Sequence, residues 1–232
     1  MRVGSCSFAD RFEDGAYLSW LEARLVACRR VLSPTGSLFF HIGGPHVHYC
    51  KVLLDAVFGR ENFVNEIIWA WDYGARTRRR WPAKHDSIFW YVRDPARYVF
   101  ELEACDRIPY LSPAMAGPEK ARRGKTPTDT WWHTVVSPVS RERTGYPTQK
   151  PLGILERIVR VHSLPGQFLC DPFVGSGSFG EAALRHGRSC LLIDSNPLAM
   201  DVMARRFRDA AVVWTGWPAP GAVALPADRS EL

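Results

Sequence analysis

The sequence has no long hydrophobic run. None of its apolar stretches approaches the roughly eighteen residues that a membrane-spanning helix needs, and its first residues do not form a secretory signal. We therefore expect no membrane partner.

The sequence also lacks any Cys-x-x-Cys pair. Its cysteines are Cys6, Cys28, Cys50, Cys105, Cys170 and Cys190, and several of them fall within apolar helix or strand patterns. This spacing argues against a disulfide framework and favours buried, reduced thiols in a cytoplasmic protein.

The composition is that of a globular enzyme or binding domain. The chain has 232 residues, of which 46% are hydrophobic, so it can bury a sizeable core as one domain. Its net charge of +6 and its clustered basic residues favour a polyanionic partner.

Apolar periodicity predicts alternating helices and strands in the first 96 residues. Leu18, Leu21, Leu25 and Cys28 repeat at helical spacing, and Ser33-Pro34-Thr35-Gly36 ends that helix. The elements predicted next are a strand over 37–42, a helix from about Pro45 to Gly59, an extended segment over 64–71 and a strand over 87–92. Between 97 and 146 the periodicity fades, which predicts a loop-rich insertion.

The strongest local pattern is an acidic residue followed by a glycine turn. Residues 167–170 are β-compatible, Gly175 and Gly177 permit a tight turn, and Ser178 is suited to cap a helix that ends at Gly187. A second buried strand over 189–193 then leads to Asp194, at the edge where open α/β sheets bind ligands. Asp194 is therefore a candidate to hydrogen-bond a ribose.

The same residues satisfy the glycine pattern of dinucleotide-binding sites. Gly175-x-Gly177-x-x-Gly180, with an acid further on, leaves a nicotinamide or flavin oxidoreductase as an alternative. Asp171 argues against it, because a carboxylate before the turn repels a pyrophosphate and suits a cation such as a sulfonium or ammonium.

Several motifs together resemble a known enzyme family. They are Thr148-Gln149-Lys150-Pro151, Pro165-Gly166, the run from Asp171 to Gly177, Gly187-Arg188 and Asp194, with Asn65-Glu66-Ile67-Ile68-Trp69 and Lys84-His85-Asp86 in the first half. The chain resembles the beta-class DNA amino-methyltransferases, which methylate adenine N6 or cytosine N4. This resemblance implies an α/β, Rossmann-like methyltransferase fold with a permuted, mixed sheet and a loop-rich target-recognition insertion.

The resemblance also implies a cofactor and a set of site residues. The cofactor is S-adenosylmethionine, and the partner is double-stranded DNA; a restriction endonuclease partner and a homodimer are left open. The cofactor-binding residues expected are Thr148, Gln149, Lys150, Asp171, Pro172, Phe173, Gly175, Ser176, Gly177, Ser178, Asp194, Ser195 and Asn196.

Two basic stretches are candidates for binding DNA phosphates. The first, called the basic run here, covers 76–84 and contains Arg76, Arg78, Arg79, Arg80 and Lys84 with no acid among them. The second contains Arg122, Arg123 and Lys125 and lies in the predicted target-recognition insertion. The alternative for the basic run is a solvated surface loop.

The family's catalytic tetrapeptide, Asp-Pro-Pro-Tyr or Ser-Pro-Pro-Tyr, is absent, so no catalytic residue is identified. Asp94-Pro95, Ser112-Pro113, Ser137-Pro138 and Asn196-Pro197 are its nearest matches and lack the second proline. The motif would lie just upstream of Met1, on a central strand of the sheet. We therefore expect a chain that starts within a longer reading frame; a degenerate relative that binds cofactor or DNA without catalysis is the alternative.

The expected layout is one methyltransferase domain. It comprises a catalytic-side half over 1–96, the insertion over 97–146, a cofactor-binding half over 147–215 and a flexible tail over 216–232. A metal site is not expected, since His41, His46 and His48 have no cysteine or carboxylate at ligand spacing.

Overall fold

A computed structural model describes residues 14–74 and 76–216 of the chain. It divides into two compact units: unit 1 comprises Met1–Val135 and Arg157–Leu164, and unit 2 comprises Val136–Glu156 and Pro165–Leu232. The expected tail, apart from Gly216, and Cys6 lie outside the described residues. No described helix is long and apolar enough to cross a membrane.

Unit 1 is a four-stranded sheet with two long helices. Its elements are α1 (Asp14–Val31), β1 (Ser37–Ile42), α2 (Val47–Phe58), β2 (Phe63–Ala70), β3 (His85–Val92), α3 (Pro113–Ala116), α4 (Pro118–Arg123) and β4 (Thr130–Trp132). The strand order is β1-β3-β2-β4. The β1/β3 and β2/β3 pairs are antiparallel and the β2/β4 pair is parallel, so the sheet is mixed, as predicted.

The core of unit 1 lies between its two long helices and one face of the sheet. Leu21 and Leu25 of α1 pack with Leu54 and Phe58 of α2 against Tyr91 of β3. The Tyr91 hydroxyl donates a hydrogen bond of 2.6 Å to Asp55, which keeps this buried polar group satisfied. The helical spacing read from the sequence is therefore the spacing of the residues that fill this core.

The insertion contributes more regular structure than its sequence predicts. Its β4 strand pairs with β2 from Ile68↔Thr130 to Ala70↔Trp132, and the indole of Trp69 donates to the His133 carbonyl at 2.8 Å. The insertion is therefore joined to the main sheet by an edge strand of three residues, which is too short to show a period.

Unit 2 contains a βαβ unit and two flanking helices. Its elements are β5 (Phe168–Asp171), α6 (Ser178–Arg185), β6 (Ser189–Leu192) and α7 (Pro197–Arg206); α5 (Leu152–His162) begins in unit 2 and ends in unit 1. The β5 and β6 strands pair in parallel from Phe168↔Ser189 to Asp171↔Leu192. Val174, Met203 and Phe207 form a small buried cluster with Leu192 beside it.

Two details of the predicted βαβ unit are wrong. The amino-terminal cap of α6 is Gly177, in a left-handed conformation with no side-chain cap bond, and Ser178 is the first helical residue. The second strand is not buried: its residues alternate between exposed and half-buried, and Leu191 is 47% exposed. In the described part of the chain β5 and β6 pair only with each other, so few neighbours cover them.

Candidate functional site

The loop between β5 and α6, here called the glycine turn (172–177), has a conformation that requires glycine at two positions. Gly175 has φ 53° and Gly177 has φ 78°, both in the left-handed region. A Cβ atom added to Gly175 would lie 2.9 Å from the Tyr146 ring, and one added to Gly177 would lie 3.0 Å from the Phe207 ring. The backbone of the turn is thus held closely by its neighbours.

Asp194 ties the end of the second strand to the glycine turn. Its two carboxylate oxygens accept hydrogen bonds of 2.8 Å, one from the Gly175 amide and the other from the Asn196 amide. Each oxygen has a second lone pair, so the carboxylate can still accept bonds from hydroxyl groups. The backbone amides of Gly175 and Asn196 therefore fix the position of the Asp194 carboxylate.

Asp171, the last residue of β5, is the most perturbed acid in unit 2. Burial of its carboxyl group, together with the nearby Asp194 charge, raises the pKa of Asp171 to about 6, although the Phe173 amide and Lys150 oppose the shift. The Phe173 amide donates to the carboxyl group at 3.0 Å. Two carboxyl groups close together in a partly desolvated site favour a positively charged ligand.

Several of the other expected cofactor residues have structural partners. Gln149 accepts from Thr144 at 2.8 Å and donates to the Glu142 carbonyl at 2.6 Å. The hydroxyl groups of Ser176 and Ser178 are buried and lie 3.0 Å apart. Asn196 caps α7 by accepting from the Leu198 amide.

The remaining expected cofactor residues are more open. Lys150 donates to the Thr148 carbonyl at 3.0 Å, and Phe173 is 48% exposed. Pro172 is half-buried and Ser195 is exposed.

The basic run lies in unit 1, in the loop that joins β2 to β3. Arg76 pairs with Asp72 at 2.5 Å, and Lys84 donates to the Tyr73 carbonyl at 2.6 Å. The other three arginines are exposed and form no ion pair with a described residue; they are Arg78, Arg79 and Arg80. These three are therefore the charges in the run that remain available to an anion.

The second basic stretch is partly engaged within the insertion. Arg123 pairs with Glu103 at 2.9 Å, and the Lys125 ammonium lies 5.7 Å from the centre of the Tyr110 ring. Arg122 is exposed. Of the three residues predicted here, Arg122 is the one whose charge has no partner among the described side chains.

An aromatic cavity beside the basic run was not predicted as a unit. It has a volume of about 460 Å³ and is lined by Ala70, Trp71, Asp72, Tyr73, Trp132, His133 and Thr134. Trp132 is 72% exposed and Tyr73 is 56% exposed. The sequence shows these aromatics as two separate groups, and only the pairing of β4 with β2 brings them together.

His41 is engaged by a carboxylate in unit 1. Its Nε2 atom lies 2.8 Å from Asp86, and its ring lies against Trp69 with 5.4 Å between ring centres. Within residues 14–74 and 76–216, no three histidine, cysteine or acidic side chains gather at metal-binding distance.

Comparison with known proteins identifies the family. The model of a DNA methylase family, covering N6 and N4 methylation, matches residues 5–205. The type II methyltransferase M.ScaI of Streptomyces caespitosus is 28% identical over 84% of this chain and 68% of its own length. The type II methyltransferase M.HpaI of Haemophilus parainfluenzae is 28% identical over 85% of this chain and 61% of its own length.

A solved structure confirms the fold. The complex of M1.HpyAVI with S-adenosylmethionine superimposes with a TM-score of 0.61 at 23% identity and covers 82% of each chain. The predicted methyltransferase fold, enzyme class and cofactor are confirmed, whereas the oxidoreductase and the degenerate relative have no support. This chain belongs to the DNA methylase family, whose members transfer a methyl group from S-adenosylmethionine to an amino group of adenine or cytosine in DNA.

Proposed function

We propose that the whole protein is a site-specific methyltransferase in which unit 2 holds S-adenosylmethionine and unit 1 holds duplex DNA. The observation that carries this assignment is the pair of acids at the glycine turn. The negative charges of Asp171 and Asp194 repel each other, and a bound cation relieves this repulsion. S-adenosylmethionine carries two cationic groups. A pyrophosphate at the same place would add negative charge to negative charge.

Different residues of unit 2 would contact different groups of the cofactor. The backbone of the glycine turn approaches it closely, Asp194 accepts bonds from its ribose hydroxyls, and Asp171 balances its positive charge. Lys150, which already influences Asp171, offers its ammonium to the methionine carboxylate, and Phe173 provides an apolar wall. When bound, the cofactor supplies the methyl group as an electrophile.

The residues of unit 1 would bind DNA by charge and by stacking. Arg78, Arg79 and Arg80 are free to neutralise phosphates without reading sequence. The aromatic cavity next to them fits a base turned out of the helix, because Trp71, Tyr73 and Trp132 offer faces on which a ring can stack. The sequence contains no Asp-Pro-Pro-Tyr or Ser-Pro-Pro-Tyr, so the acceptor of the amino proton is not assigned.

Protection against heat tests the cofactor assignment. We expect S-adenosylmethionine at a hundredfold excess over its dissociation constant to stabilise the protein by about 2.7 kcal/mol, and NAD to have no effect. Asp194→Asn keeps only one of the two acceptors for the backbone amides and loses the charge, and it should reduce the protection. Asp209→Asn, an exposed acid in the same unit, serves as the control. Protection by NAD instead would refute the assignment.

Salt dependence tests the DNA assignment. Replacing Arg78, Arg79 and Arg80 together with Ala removes up to three phosphate contacts, so we expect the slope of log affinity against log salt to flatten by about 2 to 3. The measurement is fluorescence anisotropy of a labelled duplex between low and moderate salt. Arg30→Ala, in the last turn of α1, is the control. If the triple variant keeps the wild-type slope, the basic run is only a solvated loop.

We also propose a restriction–modification role with an endonuclease partner. The names of M.ScaI and M.HpaI, both type II methyltransferases, support this role. A DNA substrate supports a cytoplasmic location at the nucleoid. Transfer of a labelled methyl group to duplex DNA separates adenine from cytosine as the target, and binding without transfer would favour a non-catalytic relative. Sedimentation tests the homodimer.

A further inference from the structure

Unit 2 contains a groove lined largely by arginine side chains, here called the arginine groove. Its volume is about 720 Å³, and it is formed by residues 140–144, by one side of α6 and by the last part of α7. The charged residues that line it are Arg141, Arg143, Arg185, Arg205, Arg206, Glu142 and Glu181. Five guanidinium groups therefore share this groove with two carboxylates.

Both carboxylates in the groove already have partners. Glu181 pairs with Arg185 at 2.5 Å and also with Arg206, and the carboxylate of Glu142 accepts from the Leu152 amide at 3.1 Å. Neither acid forms an ion pair with Arg141, Arg143 or Arg205 among the described residues. The groove therefore keeps an excess of positive charge that its own acids do not balance.

Arg206 is the most constrained of the five arginines. Its side chain is only 6% exposed, and while one end of the guanidinium bonds to Glu181, the Nε and Nη2 atoms have no hydrogen-bond partner among the described residues. Buried donors of this kind destabilise the folded protein when they remain unsatisfied. The stem of Arg206 lies close to Gly177, because a Cβ atom added to that glycine would be 3.2 Å from the Arg206 Cδ.

The helix ends account for part of this charge but not for all of it. Arg185 ends α6, and Arg205 and Arg206 end α7, where cations offset the negative end of a helix dipole. Arg141 and Arg143 belong to a loop and have no such role. Helix capping does not explain why Arg141 and Arg143 lie in the same groove as the arginines of the two helix ends. Binding of an oxyanion would explain it.

We propose that the arginine groove binds a phosphate group. Guanidinium groups present paired donors that match the oxygens of a phosphate, and the unsatisfied donors of Arg206 need an acceptor of this kind. No residue that lines the groove is among the residues expected to bind the cofactor, although Arg206 also lies near Gly177 of the glycine turn. The phosphate comes either from the backbone of bound DNA or from a free phosphate compound.

Titration with inorganic phosphate and pyrophosphate, followed by ³¹P NMR, tests the site directly. The key variant is Arg141→Gln with Arg143→Gln, since both side chains lie in an exposed loop and their loss should not affect folding. We expect the double variant to bind either anion roughly tenfold more weakly than the wild type. Arg206→Lys, which keeps the charge but loses the paired donors, should weaken binding as well. Arg208→Gln, an exposed arginine outside the groove, should change nothing.

A second arm identifies the source of the phosphate. If the double variant also flattens the salt dependence of duplex binding, the groove holds the DNA backbone; if only the free anions are affected, it holds a small phosphate compound. Equal anion binding by the wild type and the double variant would overturn the proposal. Heat protection by S-adenosylmethionine is measured on the same variants and should persist, so failure here is distinguishable from failure of the proposed cofactor site.

Discussion

Asp171→Asn is expected to remove the pH dependence of S-adenosylmethionine binding. In the wild type, burial and the Asp194 charge raise the pKa of Asp171 to about 6, so at pH 5 the carboxyl group is mostly protonated in the free protein. A cationic cofactor binds the ionised form better. The affinity of the wild type should therefore rise about tenfold between pH 5 and pH 7, and that of the variant should stay level.

The same shift makes Asp171 a cost to the stability of unit 2. An acid whose pKa is higher in the folded than in the unfolded state stabilises the fold below its unfolded pKa of 3.8, and this contribution is lost as the pH rises through 6. The difference amounts to about 3 kcal/mol at neutral pH. Asp171→Asn keeps the acceptor for the Phe173 amide, so it should be more stable than the wild type at pH 8 and no more stable at pH 4.

Ligands with different charges show whether Asp171 interacts with the sulfonium or with the ammonium of the cofactor. S-adenosylhomocysteine keeps the ammonium but not the sulfonium, and methylthioadenosine has neither. Calorimetric titrations at pH 5, 6 and 7 with all three should give a pH dependence for S-adenosylmethionine and none for methylthioadenosine. The exposed Asp209→Asn is the control. Wild-type affinity that is equal at pH 5 and pH 7 would contradict the role of Asp171.

Local sequence signals were sufficient to predict the glycine turn and the two acids beside it. The left-handed glycines of the turn and the acids that end or follow the two strands of unit 2 are placed by short-range rules, and the structure has them in that order. The strand over 37–42 and the helix before it were predicted for the same reason. Their apolar periodicity matches the core that they fill.

Features that depend on distant contacts were not predictable. The pKa of Asp171 is raised by burial and by repulsion from Asp194, which is 23 positions away, and both effects appear only in the folded unit where β5 and β6 pair. The pairing of β4 with β2 creates the aromatic cavity from two groups separated by about sixty positions. The arginine groove gathers a loop and two helix ends, none of which carries a recognisable motif.

Unit 1 is expected to lose stability in mild acid because of His162, at the carboxyl end of α5. The imidazole is enclosed by the rings of Trp90, Phe39 and Phe100, with centres 4.3, 4.6 and 5.4 Å away, and its Nδ1 atom has no hydrogen-bond partner in the described part of the chain. Burial lowers the pKa of His162 to about 4, although a bond to the Val99 backbone opposes the shift. The charged form is therefore disfavoured in the folded state.

The sign of this effect is opposite to that of Asp171. A histidine whose pKa is depressed in the folded state contributes stability that is complete above 6.5 and is lost as the pH falls toward 4, a loss of about 3 kcal/mol. Over the same range Asp171 becomes protonated and unit 2 gains a similar amount. These two contributions nearly cancel, so a global unfolding curve would not resolve either of them.

A probe confined to unit 1 separates the two contributions. Hydrogen exchange of the β3 amides, measured from pH 7 to pH 4 and corrected for intrinsic rates, should show protection falling by up to about 3 kcal/mol in the wild type. His162→Phe keeps an aromatic ring among its neighbours and removes the ionisable group, so its protection should fall much less than that of the wild type. His48→Gln, on the exposed face of α2, should behave like the wild type. If His162→Phe loses protection as steeply as the wild type, the acid sensitivity of unit 1 has another origin.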